Sequence, residues 1–381
     1  MNSKALLLSI SRGLRSLVLT MLAISSPFFL DQEGLGYIEI GLVLLFSSAV
    51  SVAFIYLIPR LKIRVSYRIF LTWALLCFGL LFLVAWPTVP GYLAALGIGG
   101  ISLSGKDMTP NQPIEQYAIS TFSATQKEKN YHFSYYNLLS YIGNTTGSAI
   151  FLLLPSIGFR DVFILALLLA IASGIPYFLM KFPEIEPKKE EGKVDPEKRK
   201  EVNRLSLLFG IDSFGGGFVN ASVLSLWFLA VYSVSIGTTG FIFVIVNILT
   251  AISVVISGML SGRFGLINTM VFTHLISNGF LIVMSVFHVL WVSEMFLFLR
   301  QTTSQMDVPP RDSFINTIFD KETRIKTNSQ FLAVRNSALI PAPATAGVLV
   351  EAFPTMVPAA SGVIKSVYDV ILYAWFRHYK I

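Results

Sequence analysis

Four charged residues stand inside apolar segments that are long enough to cross a lipid bilayer: Lys106, Asp107, Arg300 and Asp307. Moving one charge to the bilayer centre costs roughly 2.5–3.5 kcal/mol, so we predict that at least one of them lines a water-filled cavity. Such groups could bind a charged solute or exchange a proton between the fourth and tenth predicted spans. They could equally neutralise one another as structural ion pairs, and the residues alone leave both interpretations open.

These charges lie in two polar, proline-bearing segments, 105–116 and 299–312, at matching places in the two halves of the chain. Pro309 and Pro310 remove two helix donors and disfavour helical geometry just before them. We therefore predict that the tenth span kinks or breaks there, either as a passive bend or as part of a gate. Polar, broken helices at corresponding positions of two halves are typical of the binding site of a transporter.

Asp212 lies beside a run of glycines in the seventh predicted span. A carboxylate in apolar surroundings holds a proton more strongly than one in water, so Asp212 and Asp307 are candidates for proton coupling. The alternative for Asp212 is an ion pair with a cation such as Arg204. Arg335, in the eleventh span, joins Arg300 as a candidate for binding a solute.

A second set of charges lies nearer the inner ends of the predicted spans. Glu115, Arg311 and Asp312 are predicted to form ion pairs of a gate. Arg12 and Arg15 share one face of the first span because they are three residues apart. Their planar guanidinium groups could clamp an anion, but the simpler interpretation is that they reach the cytoplasmic lipid headgroups.

The other residues that could carry chemistry give no indication of a catalytic, metal or cofactor site. Lys365 and Asp369 are one helical turn apart, which predicts a structural pair. The four histidines have no metal-ligand spacing, and no glycine-rich phosphate loop is present. No paired catalytic carboxylates accompany a nucleophile. We therefore predict no enzyme activity, no catalytic residue, no metal, no cofactor and no direct use of ATP.

The composition requires that these residues be carried by membrane helices. The chain of 381 residues is 54% hydrophobic and 13% charged, whereas soluble domains carry about 25% charged residues. A spanning helix needs roughly 20 mostly apolar residues, and the sequence predicts an all-α integral membrane protein with twelve spans. They run over 5–30, 37–59, 66–87, 89–119, 131–155, 160–181, 204–233, 237–262, 265–288, 290–319, 326–350 and 356–378.

A mixed-charge segment at 183–203 predicts a solvated cytoplasmic linker. It divides the chain into six-helix bundles at 1–182 and 204–381. Lys and Arg fall almost wholly in loops on the side of the N-terminus, and the first outer loop is acidic. This bias places both termini in the cytoplasm of a multi-pass cell-membrane protein. The net charge of +7 follows the same loops and forms no basic face for nucleic acid.

The two halves also resemble each other. A shift of 200 residues places Asp107 on Asp307 and Pro110 on Pro310. Such a repeat at half the chain length predicts a duplication and two pseudo-symmetric bundles.

The loop at 258–265 reads Gly-Met-Leu-Ser-Gly-Arg-Phe-Gly. It resembles the cytoplasmic loop motif of the major facilitator superfamily, with Gly262 in place of the usual Asp and Arg263 at the basic position. The loop at 57–62 in the first half keeps the basic residues without the glycines. The resemblance implies two rocking six-helix bundles, alternating access and a central cavity lined by spans one, four, seven and ten. It makes Arg263 a candidate gate residue.

We therefore expect a secondary active transporter, monomeric in the lipid bilayer, that moves a small solute together with a proton or another coupling ion. Proton-coupled export is the favoured form. One alternative is uptake or exchange of an organic anion, bound by Arg300 and Arg335. An alternative of another class is a non-transporting membrane receptor or scaffold on the same fold.

Overall fold

The computed structural model describes residues 3–183, 196–319 and 321–379, and within these ranges the chain is helical without a strand. Most of the predicted linker, residues 184–195, lies outside them. One short 3-10 turn, Ile58–Arg60, follows the second helix. The α-helices of the described residues are α1 Ser3–Gln32, α2 Tyr37–Leu57, α3 Val65–Ala85, α4 Val89–Gly99, α5 Asn111–Phe122, α6 Gln126–Leu153, α7 Phe159–Phe178, α8 Pro196–Gly217, α9 Ala221–Tyr232, α10 Ile236–Phe264, α11 Leu266–Val286, α12 Leu290–Thr303, α13 Val308–Ile318, α14 Lys321–Leu339, α15 Ala342–Ala352 and α16 Met356–Phe376.

These helices follow the twelve predicted spans in order. Four spans are split into pairs, namely α4 with α5, α8 with α9, α12 with α13, and α14 with α15. By length and apolar composition, six helices of the described chain can cross a membrane, or seven when 198–217 and 221–232 count as one bent span. The other spans fall short of this criterion because they are split or carry polar residues.

Packing divides the chain into two compact units. Unit one contains α1 to α7, α9 and the first part of α10, residues 236–244. Unit two contains α8, the rest of α10, and α11 to α16. The packing of α9 with unit one differs from a division by sequence position alone, and the predicted boundaries at residues 182 and 204 remain predictions.

In unit one, α1 packs closely against α6 because glycines remove the side chains between them. A Cβ added at Gly143 would lie 2.1 Å from the carbonyl oxygen of Gly13, and one added at Gly147 would lie 2.6 Å from that of Leu17. Small residues of this kind allow helix backbones to approach in a membrane, where dispersion contacts replace the hydrophobic effect. This close approach fixes the rotation of α1, and so the direction of its charged side chains.

The fourth span breaks between α4 and α5. Gly100 ends α4 in the left-handed conformation, at φ 59°, which glycine adopts at little cost. The freed backbone groups are satisfied internally, since the Ser47 hydroxyl donates to the carbonyl of Ile101 at 2.8 Å and accepts from the amide of Leu103 at 2.9 Å. Irregular backbone at membrane depth requires such protein partners. The break carries Asp107 into the interior of unit one, where it is buried.

In unit two, α8, α11 and α16 surround a core rich in aromatic residues. The Ser361 hydroxyl donates to the carbonyl of Gly215 at 2.8 Å and ties α16 to α8. A Cβ added at Gly362 would lie 2.7 Å from the carbonyl oxygen of Asn278, which brings α16 close to α11. The fully buried core residues here include Leu205, Phe209, Met270, Val271, Phe314, Phe331, Tyr368 and Leu372.

The predicted break in the tenth span is confirmed. Helix α12 ends at Thr303, and α13 begins at Val308 with prolines in its first turn, where a missing amide hydrogen costs least. Pro310 cannot donate to the carbonyl of Met306, and the Ser257 hydroxyl donates to it instead at 2.5 Å. The break leaves Asp307 buried immediately before α13.

Candidate functional site

Five buried side chains of unit one form an ion cluster, which we call the unit-one cluster: Arg15, Asp107, Glu115, Tyr136 and Tyr177. Arg15 Nη1 and Nη2 donate to the two oxygens of Glu115 at 2.7 and 2.8 Å. Arg15 Nη2 also donates to Asp107 at 2.8 Å. The hydroxyls of Tyr136 and Tyr177 each donate to Glu115 at 2.6 Å. The four hydrogen bonds to Glu115 leave little room for another ligand.

Asp107 has further donors in the unit-one cluster, whereas Arg15 Nε has no hydrogen-bond partner within the described residues. Asp107 accepts from the Thr109 hydroxyl at 2.8 Å and from the Thr109 amide at 3.2 Å. Arg12 supplies a second positive charge near Asp107, stacks over the Tyr136 ring at 4.2 Å and donates to Asn137 at 2.8 Å. The expectation that the paired arginines of α1 reach the headgroups is wrong for Arg15, because it is only 1% exposed. Such a closed network is suited to holding α1, α5, α6 and α7 together.

A second cluster lies in unit two, and two of its ion contacts are longer, at 3.8 Å. Asp212 of α8 has Lys365 Nζ at 2.5 Å from Oδ1, His274 Nε2 at 3.8 Å from the same oxygen and Arg311 Nη1 at 3.8 Å from Oδ2. Arg311 Nη1 also lies 2.9 Å from an oxygen of Asp307. All five side chains are buried. Together with Asp369 they form what we call the unit-two cluster.

Asp369 extends this cluster through the imidazole of His274. Nδ1 of His274 lies 2.9 Å from both oxygens of Asp369, and the amide of Asn278 donates to Asp369 at 2.8 Å. The ring of Tyr368 meets that of His274 edge to face, with centroids 5.9 Å apart. His274 therefore stands between two carboxylates, with Asp369 on one ring nitrogen and Asp212 facing the other.

The structure brings several predicted site residues together. Asp107 and Glu115 meet in the unit-one cluster, and Asp212, Asp307 and Arg311 meet in the unit-two cluster. Both members of the repeat pair, Asp107 and Asp307, are buried beside a helix break and paired with an arginine. Whether any of them binds solute or forms a gate remains a prediction.

The other predicted residues lie outside these contacts. Lys106, Asp312 and Arg263 are exposed, and Arg263 lies over the ring of Phe264 at 5.5 Å. The motif side chains at 258–262 are outside the described part of the structure. Arg300 is buried beside Gln301. The remaining candidates lie near the second cluster: Arg335, Pro309 and Pro310.

Sequence reasoning assigned no role to His274 or Tyr177. A single histidine within an apolar span was the available signal, since an imidazole buried at membrane depth needs a partner. The predicted pairing of Lys365 with Asp369 is wrong, because these residues pair with Asp212 and His274 respectively. Within the described residues, no group of three or more His, Cys, Asp or Glu side chains is arranged to hold a metal ion.

The apolar spans, the buried ion clusters and the protein-satisfied helix breaks define a multi-pass α-helical membrane protein. The chain belongs to the major facilitator superfamily, whose sequence model, described as "Major Facilitator Superfamily", matches residues 8–299. It is therefore a membrane transporter with the twelve-helix, two-bundle fold of that superfamily. No curated protein sequence matches the chain.

Solved structures agree on the fold. The POT family transporter PepTSo superposes with a TM-score of 0.80 at 11% identity, over 100% of this chain and 98% of that one. The D-xylose-proton symporter gives 0.74 at 13% identity, over 97% and 96%. The human organic anion transporter MFSD10 (TETRAN) gives 0.67 at 15% identity, over 97% and 99%. Identities this low support the fold and leave the solute to be argued from the residues of this chain.

Proposed function

We propose that this protein is a secondary active transporter of the cell membrane, in which a proton bound in the unit-two cluster drives a small solute across by alternating access. The observation that carries the proposal is the buried series Asp369, His274 and Asp212. A buried histidine between two carboxylates is a group that can take up and release a proton within the membrane. Both termini are placed in the cytoplasm by the distribution of Lys and Arg.

The geometry around His274 supports a specific position for the proton. Carboxylate oxygens only accept, so the hydrogen bond at 2.9 Å to Asp369 assigns a hydrogen to Nδ1. In the neutral ring Nε2 then carries the lone pair, which faces Asp212 Oδ1 at 3.8 Å. Protonation of Nε2 would turn this contact into an attraction worth about 4 kcal/mol at an effective dielectric constant of 20.

Other charges act on the same group. Lys365 and Arg311 both approach Asp212 and compete with a protonated His274 for its charge. Asp212 and Asp307 are therefore better suited to stabilise a nearby cation than to carry the proton themselves, because protonating either would abandon an ion pair. We assign the moving proton to His274 and the countercharge to Asp212.

The test is solute-dependent proton movement in proteoliposomes that contain a pH-sensitive dye. The wild-type protein should change the internal pH when a transported solute is added, and the sign of the change distinguishes symport from export by antiport. His274→Gln should abolish the pH change, since glutamine can still donate to Asp369 but cannot take up a proton. The matched control is His288→Gln, because His288 is exposed.

Two results would contradict the proposal. Proton movement that persists in His274→Gln would refute the assignment of the coupling group. Solute binding without flux in either direction, for the wild-type protein, would instead favour a receptor or scaffold on the same fold.

A further inference from the structure

Arg300 differs from the other deeply buried arginines of the described chain. Arg15 has carboxylate oxygens at 2.7 and 2.8 Å, and Arg311 has one at 2.9 Å. Arg300 is 7% exposed, yet within the described residues no carboxylate lies within 4 Å of its guanidinium. Its side chain makes one hydrogen bond there, from Nη1 to the Gln301 Oε1 atom at 2.7 Å. Its Nε, like that of Arg15, has no hydrogen-bond partner.

A buried guanidinium without a counterion is costly, since the effective desolvation penalty is several kcal/mol per ion. The end of α12 offers only part of the compensation. Arg300 lies in the last turn of this helix, where the helix dipole is worth about 0.3–1 kcal/mol, or about 2 at most when partly buried. Gln301 is itself held by Thr250, to which its amide donates at 2.5 Å. The arrangement therefore holds Arg300 in place without neutralising it.

A second guanidinium lies near the same carboxylates. Arg335 of α14 is half-buried, and its Nε donates to the Ser213 hydroxyl at 3.4 Å. Asp212 and Asp307 act electrostatically on both Arg300 and Arg335, so both arginines border the unit-two cluster. Four cations thus lie at or beside a cluster with three buried carboxylates, and the exposed Asp312 is a fourth carboxylate that acts on Arg311 and Arg335. The cations are Arg300, Arg311, Arg335 and Lys365, and the buried carboxylates are Asp212, Asp307 and Asp369.

We infer that Arg300, assisted by Arg335, binds the carboxylate or phosphate group of an organic anion that this transporter carries. This inference rests on the proposed function and adds the chemical class of the solute. A guanidinium donates two parallel hydrogen bonds to such a group, and among the described residues only Nη1 of Arg300 is engaged in a hydrogen bond. The anion would place a negative charge in direct contact with Arg300, where no carboxylate of the described residues lies within 4 Å.

The test measures the binding of a matched set of probes to the purified full chain in detergent. The readout is the rise in melting temperature as a function of probe concentration. The anions are benzoate, succinate, phenyl phosphate and glycerol 3-phosphate, and the neutral and cationic counterparts are benzamide and benzylamine. At least one anion should stabilise the wild-type protein, and Arg300→Gln should weaken its apparent affinity about tenfold to a hundredfold, as expected for hydrogen bonds to a charged group.

Matched variants make the result specific. Arg300→Lys keeps the charge without the planar fork and should retain part of the affinity. Arg160→Gln removes an exposed arginine and should leave the affinity unchanged. Comparison of benzoate with phenyl phosphate separates a carboxylate site from a phosphate site.

Each outcome bears on the inference. Equal anion affinity in the wild-type protein and in Arg300→Gln would overturn the inference. It would also be overturned if benzylamine or benzamide stabilised the protein and the anions did not, or if none of the probes stabilised it. Proton-coupled flux of a neutral or cationic solute would leave the proposed function standing and remove only the anion. Anion binding lost in Arg300→Gln without any proton movement would remove the proton coupling and keep the anion site.

Discussion

Removal of the guanidinium at position 15 should lower the thermal stability of this protein far more than removal of the guanidinium at position 300. Arg15→Gln leaves Asp107 and Glu115 buried without the cation that lies 2.8 and 2.7 Å from their oxygens, respectively. Breaking a buried ion pair from one side costs about 3–5 kcal/mol. For a unit of 150–250 residues, 1 kcal/mol shifts the melting temperature by about 2–4 °C, so Arg15→Gln should lower it by roughly 6–20 °C.

Arg300→Gln is the matched comparison, because it removes a buried guanidinium that has no carboxylate within 4 Å in the described structure. It loses one hydrogen bond to Gln301, worth about 1 kcal/mol, and it relieves the burial of an unpaired charge. The melting temperature should therefore change little in either direction. Both variants are compared by tryptophan fluorescence during heating in detergent without ligand. Equal losses for the two variants would refute the distinction between an arginine in direct contact with carboxylates and one without such a contact.

Two further predictions concern packing and the helix break. Gly143→Val should destabilise the protein strongly, because the first added carbon would lie 2.1 Å from the carbonyl oxygen of Gly13. Gly279→Ala should be tolerated, because nothing lies within 4 Å of its added carbon. The yield of detergent-solubilised protein on size-exclusion chromatography measures both effects, and equal yields would contradict the close packing at Gly143. Ser257→Ala should lower the free energy of unfolding by about 1–3 kcal/mol, since it leaves the buried carbonyl of Met306 without its donor. A melting temperature equal to that of the wild-type protein would show that another donor replaces the Ser257 hydroxyl.

The sequence predicted the order of the spans and the break in the tenth span because each has a local cause, whereas the split of the eleventh span into α14 and α15 was not predicted. Apolar length fixes the spans, and Pro309 and Pro310 fix the start of α13. The insertion cost of a charge also predicts that Asp107 and Asp307 turn inward, and both are buried. The same cost does not apply to Lys106, because the break between α4 and α5 leaves its side chain exposed.

The partners within the clusters could not be predicted, because they depend on the rotation of helices far apart in the chain. Lys365 and Asp369 are adjacent on α16, which favours a pair between them in isolation. In the folded unit, Asp212 of α8 and His274 of α11 are desolvated partners and replace that local contact. Likewise, the pairing of Arg15 with Glu115 depends on the rotation of α1, which the glycines of α6 fix.

His274 is the residue that we propose carries the proton that drives transport. The most direct measurement compares two modes of solute movement in proteoliposomes with His274→Gln, using His288→Gln as control. Exchange of labelled for unlabelled solute at equal concentration needs no net proton transfer, whereas accumulation driven by a pH gradient does. If His274 carries the proton, His274→Gln should keep exchange and lose accumulation. Accumulation at the wild-type level in this variant would contradict it.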